Sequence, residues 1–380
     1  MIIGITGFNA SGKSTVAEYL EKKKNFKYFS GNKILSKECE RRGLSNDREN
    51  LRRVANELRK ELGDNALIIK AKELYDFNTE NIVIESIRNV REINELRKEK
   101  DFYLLGMNAN LEIRYKRAKE RNRDKEVVSF EKFIESEKEE LDSNNRNSQN
   151  LIETYMLIDF EIINDSDLKN LEEKVDIMLK TIQNINSPLK RFEECYVTIY
   201  KFGDKIIKRP FKHKYYLGIA REVGKRSTCL NVQYGAVIIN NDQIISTGYV
   251  GAPREVNSSL EKGFCLRRKL GIPSGERYEI CRSVHAEQNA IINSARAGVS
   301  LLNSTLYFFG LKYKEGDEME LIKGYPCFIC KKMIINSGIK EFVSTDENGR
   351  IVIYNVKDWI KLWKSYDMLD DKIEYKVNYY

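Results

Sequence analysis

The segment Gly7-Phe8-Asn9-Ala10-Ser11-Gly12-Lys13-Ser14 constrains the fold more than any other stretch of the chain. It meets the pattern G-x-x-x-x-G-K-[ST] at every fixed position. The apolar run at residues 2–6 before it reads as a buried strand, and a helix is expected from about residue 13 to 23. A strand, a glycine-rich turn and a helix in that order aim backbone N–H groups at a phosphate, with the positive end of the helix behind them. Gly7, Asn9, Ala10, Ser11 and Gly12 form the expected cradle. Lys13 would reach the β- and γ-phosphates, and Ser14 or Thr15 would help hold Mg²⁺. The implied ligand is ATP or a dNTP.

The rest of the first part alternates short apolar strands with polar helices. Strands are expected at residues 82–84, 102–107 and 159–164, and helices at 50–62, 111–121 and 168–182. That alternation implies an α/β fold with a doubly wound parallel sheet. All five prolines and six of the seven cysteines lie after residue 187. This shift divides the chain into a domain over 1–187, a linker over 188–209 and a second domain over 210–380. The second part should be a mixed-sheet α/β/α layer. Strands are expected at 235–239, 243–248, 306–310, 342–344 and 351–354, and helices at 214–225, 283–297 and 327–336.

A length of 380 residues suits two domains. With 41% hydrophobic and 32% charged residues, the chain is globular and not disordered. No apolar run approaches the ~18–20 residues a membrane span needs, and the start lacks a secretion signal. A cytoplasmic protein with no membrane partner is expected. The 65 Lys+Arg exceed the 57 Asp+Glu by only 8, which fits small anionic nucleotides and on its own does not argue for nucleic acid, which is not an expected partner. An odd cysteine count reads as thiols or metal ligands.

The second chemical signal uses one of only two histidines. His285-Ala286-Glu287 precedes Pro326-Cys327-Phe328-Ile329-Cys330 by about forty residues. This is the H-x-E…P-C-x-x-C signature of zinc nucleobase deaminases. One imidazole and two thiolates from His285, Cys327 and Cys330 leave a tetrahedral Zn²⁺ one open position for water, whose pKa the metal lowers to about 7. Glu287 is not a ligand; it takes the water's proton and delivers it to N3 and then to the leaving ammonia. Both segments are placed at helix starts, whose positive ends favour thiolates. The other histidine, His213, has no partner in sequence and reads as a surface or helix-face residue.

These residues carry two resemblances. The stretch Ile82-Val83-Ile84-Glu85-Ser86-Ile87-Arg88 resembles the strand end of nucleoside monophosphate kinases. There an acid sits near the metal and an arginine holds the acceptor phosphate, which implies those roles for Glu85 and Arg88. The helix with Arg114, Arg117, Arg121 and Arg123 resembles their lid, and Asp159–Asn164 is similar to a late strand of dephospho-CoA-kinase-like proteins. That resemblance covers about residues 1–183 and implies a kinase or a nucleotide sensor.

The second part resembles deoxycytidylate deaminases over about residues 210–356. The matching segments are Arg226-Ser227-Thr228-Cys229, Gly235-Ala236-Val237-Ile238-Ile239, Ser246-Thr247-Gly248-Tyr249-Val250-Gly251-Ala252-Pro253-Arg254 and His285-Ala286-Glu287-Gln288-Asn289-Ala290-Ile291. It implies hydrolytic deamination of dCMP or dCTP, homo-oligomers, and a substrate pocket that includes Tyr249, Val250, Gly251 and Ala286. The family usually has Asn where this chain has Val250, and a shorter link than residues 309–326 before the paired cysteines. In some phage-type relatives a cysteine at the position of Cys229 binds a second, structural zinc. Cys229, Cys265 and Cys281 could recreate that site, or could be separate buried thiols. The whole architecture resembles kinase–deaminase fusions that deplete deoxycytidine nucleotides in phage defence. Two other readings are a deaminase of RNA or single-stranded DNA and a nucleotide-responsive binding protein.

Overall fold

Ile2, Ile3, Ile5 and Thr6 are all buried, as a central strand covered on both faces requires. The structure is a computed structural model that describes residues 1–63, 65–121, 129–141, 151–273, 276–314 and 318–365. The chain packs as two units: residues 1–183 with 195–209, and residues 184–194 with 210 onward.

The first unit has one seven-stranded sheet. Its strands are β1 (Ile2–Gly7), β2 (Lys27–Ser30), β3 (Ile82–Glu85), β4 (Phe102–Asn108), β5 (Phe160–Ile163), β6 (Val197–Phe202) and β7 (Lys205–Pro210). They lie in the order β2-β3-β1-β4-β5-β6-β7. β1 is parallel to both β3 and β4, so the chain winds to one side of β1 and then to the other. A crevice opens beyond the carboxyl ends at such a switch point, and the loop after β1 occupies it.

The segment 188–209, read from composition as a linker, is folded. Pro188–Glu194 is a helix of the second unit, where Phe192 meets Phe309 with ring centroids 4.8 Å apart. β6 then pairs in parallel with β5 in the first unit, and β7 doubles back after Gly203, whose φ is 56°. Burying side chains such as Phe192, Val197 and Ile199 stabilises by roughly 1.5–3 kcal/mol each, which outweighs the turn-forming bias of the surrounding residues.

In the second unit the strands are β8 (Val232–Asn240), β9 (Gln243–Tyr249), β10 (Thr305–Tyr313), β11 (Met319–Leu321), β12 (Glu341–Thr345) and β13 (Ile351–Asn355). The order is β13-β12-β10-β8-β9, with β11 paired to β10. The sheet is mixed: β10 and β12 are parallel, while β8 is antiparallel to β9 and β10. Alternate residues face opposite cores. Ala236, Ile238, Leu306 and Phe308 meet the helices Ala286–Arg296, Phe328–Asn336 and Val356–Ser365. Val237, Ile239, Tyr307 and Phe309 meet the helix Lys212–Gly224. The long link before the paired cysteines is explained by β11, which returns antiparallel along β10.

Two contacts place the helices that matter most. At Gly248 on β9, an added Cβ would meet Ala290 N at 2.3 Å and Ala286 O at 2.4 Å, so the Ala286–Arg296 helix rests on bare backbone. Lys331, in the Phe328–Asn336 helix, is buried with its Nζ 4.2 Å from the Tyr325 ring centroid and 5.3 Å from that of Trp359. Gly248→Ala should therefore push the first helix off the sheet. The expected loss is about 1–3 kcal/mol in chemical denaturation, with lower retention of bound zinc. An unchanged unfolding midpoint with full zinc content would contradict this seating.

Candidate active site and phosphate loop

The Ala286–Arg296 helix is fastened to β9 by side chains one turn apart. Asn289 Nδ2 donates to Tyr249 O at 2.8 Å, Asn293 Nδ2 donates to Thr247 O at 2.8 Å, and Ser246 Oγ donates to Ala290 O at 2.6 Å. His285 is the N-cap residue, and its own N–H donates to Gln288 Oε1 at 3.0 Å. Cys327 is the N-cap residue of the Phe328–Asn336 helix, so two helix N-termini meet.

Their donors converge. His285 Nδ1 lies 3.4 Å from Cys327 Sγ and 3.4 Å from Cys330 Sγ. Zn–S and Zn–N bond lengths in tetrahedral geometry call for an S···N edge of about 3.6 Å, so these donors fit a zinc ion. Among the described residues this is the one group of three such donors drawn within 4.8 Å of one another. The hydrogen bond from Cys330, and then His285, holds the Cys327 thiol well below the usual thiol range. The same bond and burial push Cys330 the other way.

Glu287 is 3% exposed, and burial pushes its carboxyl up to about 7. A carboxyl poised near neutrality can both take and return a proton. Two residues that carry no sequence motif complete the surroundings. Tyr278 sets its ring edge-on to His285, with centroids 5.0 Å apart and planes at 84°. Tyr234 is buried enough to push its phenol up, with added contributions from Tyr278 and Glu287.

The loop after β9 closes on the same helix start, through Gly251 N to Val284 O at 3.2 Å and Val284 N to Gly251 O at 2.8 Å. Val250 is buried, its N–H donating to Tyr234 O at 3.0 Å and its carbonyl accepting from Thr228 N at 3.1 Å. Ala286 is buried as well. Cys229, Cys265 and Cys281 are not drawn together as a ligand set. They remain neighbours: burial raises the Cys229 thiol, and Cys281 and Cys265 add to the rise. His213 is a half-buried residue on the Lys212–Gly224 helix face; its Nδ1 lies 3.1 Å from Tyr307 Oη, and burial lowers its pKa.

In the first unit, Gly7, Ala10 and Gly12 take φ of 134°, 55° and 101°, which curls the backbone as a phosphate cradle needs. Lys13 is buried, and its Nζ donates to Gly7 O at 2.9 Å and Phe8 O at 2.6 Å. Ser14 Oγ donates to Glu85 Oε1 at 2.5 Å, and Tyr28 donates to the other oxygen of Glu85. The hydroxyl and carboxylate offer a hard cation the oxygen ligands it prefers, so Mg²⁺ fits here. Asn164, at the end of β5, donates through Nδ2 to Ser11 O at 2.9 Å. A Cβ on Gly12 would meet that Nδ2 at 2.4 Å.

The other kinase-like residues are placed less uniformly. Arg88 follows Ser86, whose φ of 65° turns the chain out of β3. Arg117 Nη1 donates to Asn164 O at 3.0 Å. Arg114 is buried in an ion pair with Glu137, its Cζ 5.0 Å from the Phe8 ring centroid. The side chain of Arg121 and all of Arg123 lie outside the described residues. Tyr28 carries no signal in the sequence, and Asn164 figures there only as the end of the Asp159–Asn164 strand. β2 is a four-residue edge strand without periodicity, and Asn164 matters only because β5 lies near the loop.

A buried acid beside three zinc-fitting donors on an α/β/α unit defines the nucleotide deaminase class, here on one chain with a P-loop unit. Comparisons agree. The family model described as cytidine and deoxycytidylate deaminase zinc-binding region matches residues 210–345, and an AAA domain model matches residues 3–144. A deoxycytidylate deaminase of Mycobacterium phage D29 is 32% identical over 37% of this chain and 98% of its own. A UPF0200 protein of Methanococcus vannielii is 31% identical over 50% of this chain and 95% of its own. A deoxycytidylate deaminase of Schizosaccharomyces pombe is 27% identical over 90% of this chain and 89% of its own. The chain belongs to the deoxycytidylate deaminase family through its second part and to the UPF0200 family through its first.

The donor geometry predicts about one zinc per chain, measured by elemental analysis. Cys330→Ala should remove it, whereas Cys265→Ser should leave it in place. A second equivalent lost with Cys265→Ser would mean that the three outlying thiols close on a metal in solution.

Proposed function

We propose that this chain hydrolyses the exocyclic amine of a deoxycytidine nucleotide, dCMP in the first instance, to give the deoxyuridine nucleotide and ammonia. The observation that carries the reading is Glu287, buried and held near neutrality beside His285, Cys327 and Cys330. Those three residues would hold zinc, which when bound supplies the Lewis acidity that makes water a nucleophile at neutral pH. Glu287 takes a proton from the attacking water and passes it to ring N3. A second proton moves through Glu287 to the departing amine, so cytosine and water become uracil and ammonia with Glu287 restored. Tyr278 flanks His285, and Tyr234 lies close enough to feel the charge of Glu287.

Val250 sets an apolar side chain where related chains have an amide, so its position makes no hydrogen bond to a sugar hydroxyl. This supports some tolerance in the sugar and phosphate, and dCTP is the natural second substrate. The P-loop unit binds ATP or a dNTP with Mg²⁺ through residues 7–15 and Glu85. Glu85 and Arg88 at the end of β3 support phosphoryl transfer to a second nucleotide. Control of deamination by the bound nucleotide is the other use of the same site.

Ammonia release from dCMP, dCDP, dCTP and cytidine, with and without ATP and dTTP, tests both units. Turnover of dCMP should fall by about 10²- to 10⁴-fold in Glu287→Gln with zinc retained. Activity untouched by that substitution sinks the mechanism. If Lys13→Ala changes the response to ATP or dTTP, the P-loop unit is a regulator. If dCTP is also consumed, nucleotide depletion describes the role better than supply of dUMP.

A further inference from the structure

We propose that Arg267, which stacks on the Tyr278 ring that also meets His285, receives the 5′-phosphate of the substrate; this rests on the deaminase reading above. Arg267 lies in the short Leu266–Lys269 helix, with its Cζ 4.8 Å from the Tyr278 ring centroid. Tyr278 in turn stands edge-on to His285 at 5.0 Å. Arg267 and His285 thus contact the same ring and lie within about 10 Å of each other, the scale of a pyrimidine 5′-monophosphate from ring to phosphate.

The state of the guanidinium supports the assignment. Nη2 donates to Pro273 O at 2.7 Å, which fixes one end of the group. Nε is buried and makes no hydrogen bond. A buried N–H without an acceptor is destabilising and marks a place where a partner belongs. Three other arginines between residues 254 and 282 make contacts of their own. Arg277 pairs with Glu279, Arg254 donates to Asn293 Oδ1 at 3.0 Å, and Arg282 donates to Asn257 O at 3.3 Å. A guanidinium pinned on an aromatic face is pre-organised, and its planar fork matches phosphate oxygens where a lysine would offer only a point charge.

The test is equilibrium binding of dCMP and deoxycytidine to zinc-loaded protein. The background is Glu287→Gln with Lys13→Ala, which silences turnover and the phosphate loop. Adding Arg267→Gln should weaken dCMP about 30-fold and leave deoxycytidine unchanged, with zinc content equal in both proteins. Arg267→Lys should recover part of the loss. Equal weakening of both ligands would make Arg267 a prop for Tyr278, and unchanged or undetectable dCMP binding would also overturn the assignment. If dCMP binds through Arg267 but the unsubstituted enzyme releases no ammonia, the deaminase reading fails and the phosphate site stands.

Discussion

The close seat of the Ala286–Arg296 helix on β9 is the constraint on which the deaminase unit depends. Helix and strand backbones touch at Gly248, and Asn289, Asn293 and Ser246 bind the two together. This one interface sets the height of His285 and Glu287 above the sheet. The second helix, with Cys327 and Cys330, is held from behind by Lys331 between Tyr325 and Trp359. A metal-donor edge of 3.4 Å therefore results from two separately anchored helices, and neither could supply it alone.

The two units treat a buried acid in opposite ways. Glu85 accepts hydrogen bonds from Ser14 and Tyr28, which fix the direction of both its oxygens. Glu287 is buried instead beside the metal donors, so burial dominates and its proton affinity rises. The first environment suits a fixed oxygen ligand for a cation. The second suits a group that must gain and lose a proton at neutral pH.

The reading of residues 188–209 shows where local patterns fail. Pro188 and the polar residues around it mark a break, and the chain does change units near there. The same stretch then contributes a helix to one unit and two strands to the other, so the units are interleaved in sequence. Phe192 is apolar in a short segment, and only the presence of Phe309 across the core makes it a helix anchor. β2 and β11 were missed for a similar reason. Each lies at the margin of its sheet and exists because a neighbouring strand offers it a free edge.

By itself the sequence determined the chemistry of both sites. The glycine loop with Lys13 and Ser14, and His285, Glu287, Cys327 and Cys330, are legible because bond-forming groups must recur at fixed local spacings. It also determined the two α/β layers, since alternating apolar residues report which faces are buried. The tertiary structure alone decided which remote residues serve these motifs. Asn164 braces the phosphate loop from a strand more than a hundred residues away in sequence, Tyr28 fixes Glu85, and Tyr278 meets His285 from a separate turn. No spacing rule links such pairs. They meet because the order of strands and the packing of helices bring distant segments within the few ångströms over which hydrogen bonds and ring contacts act.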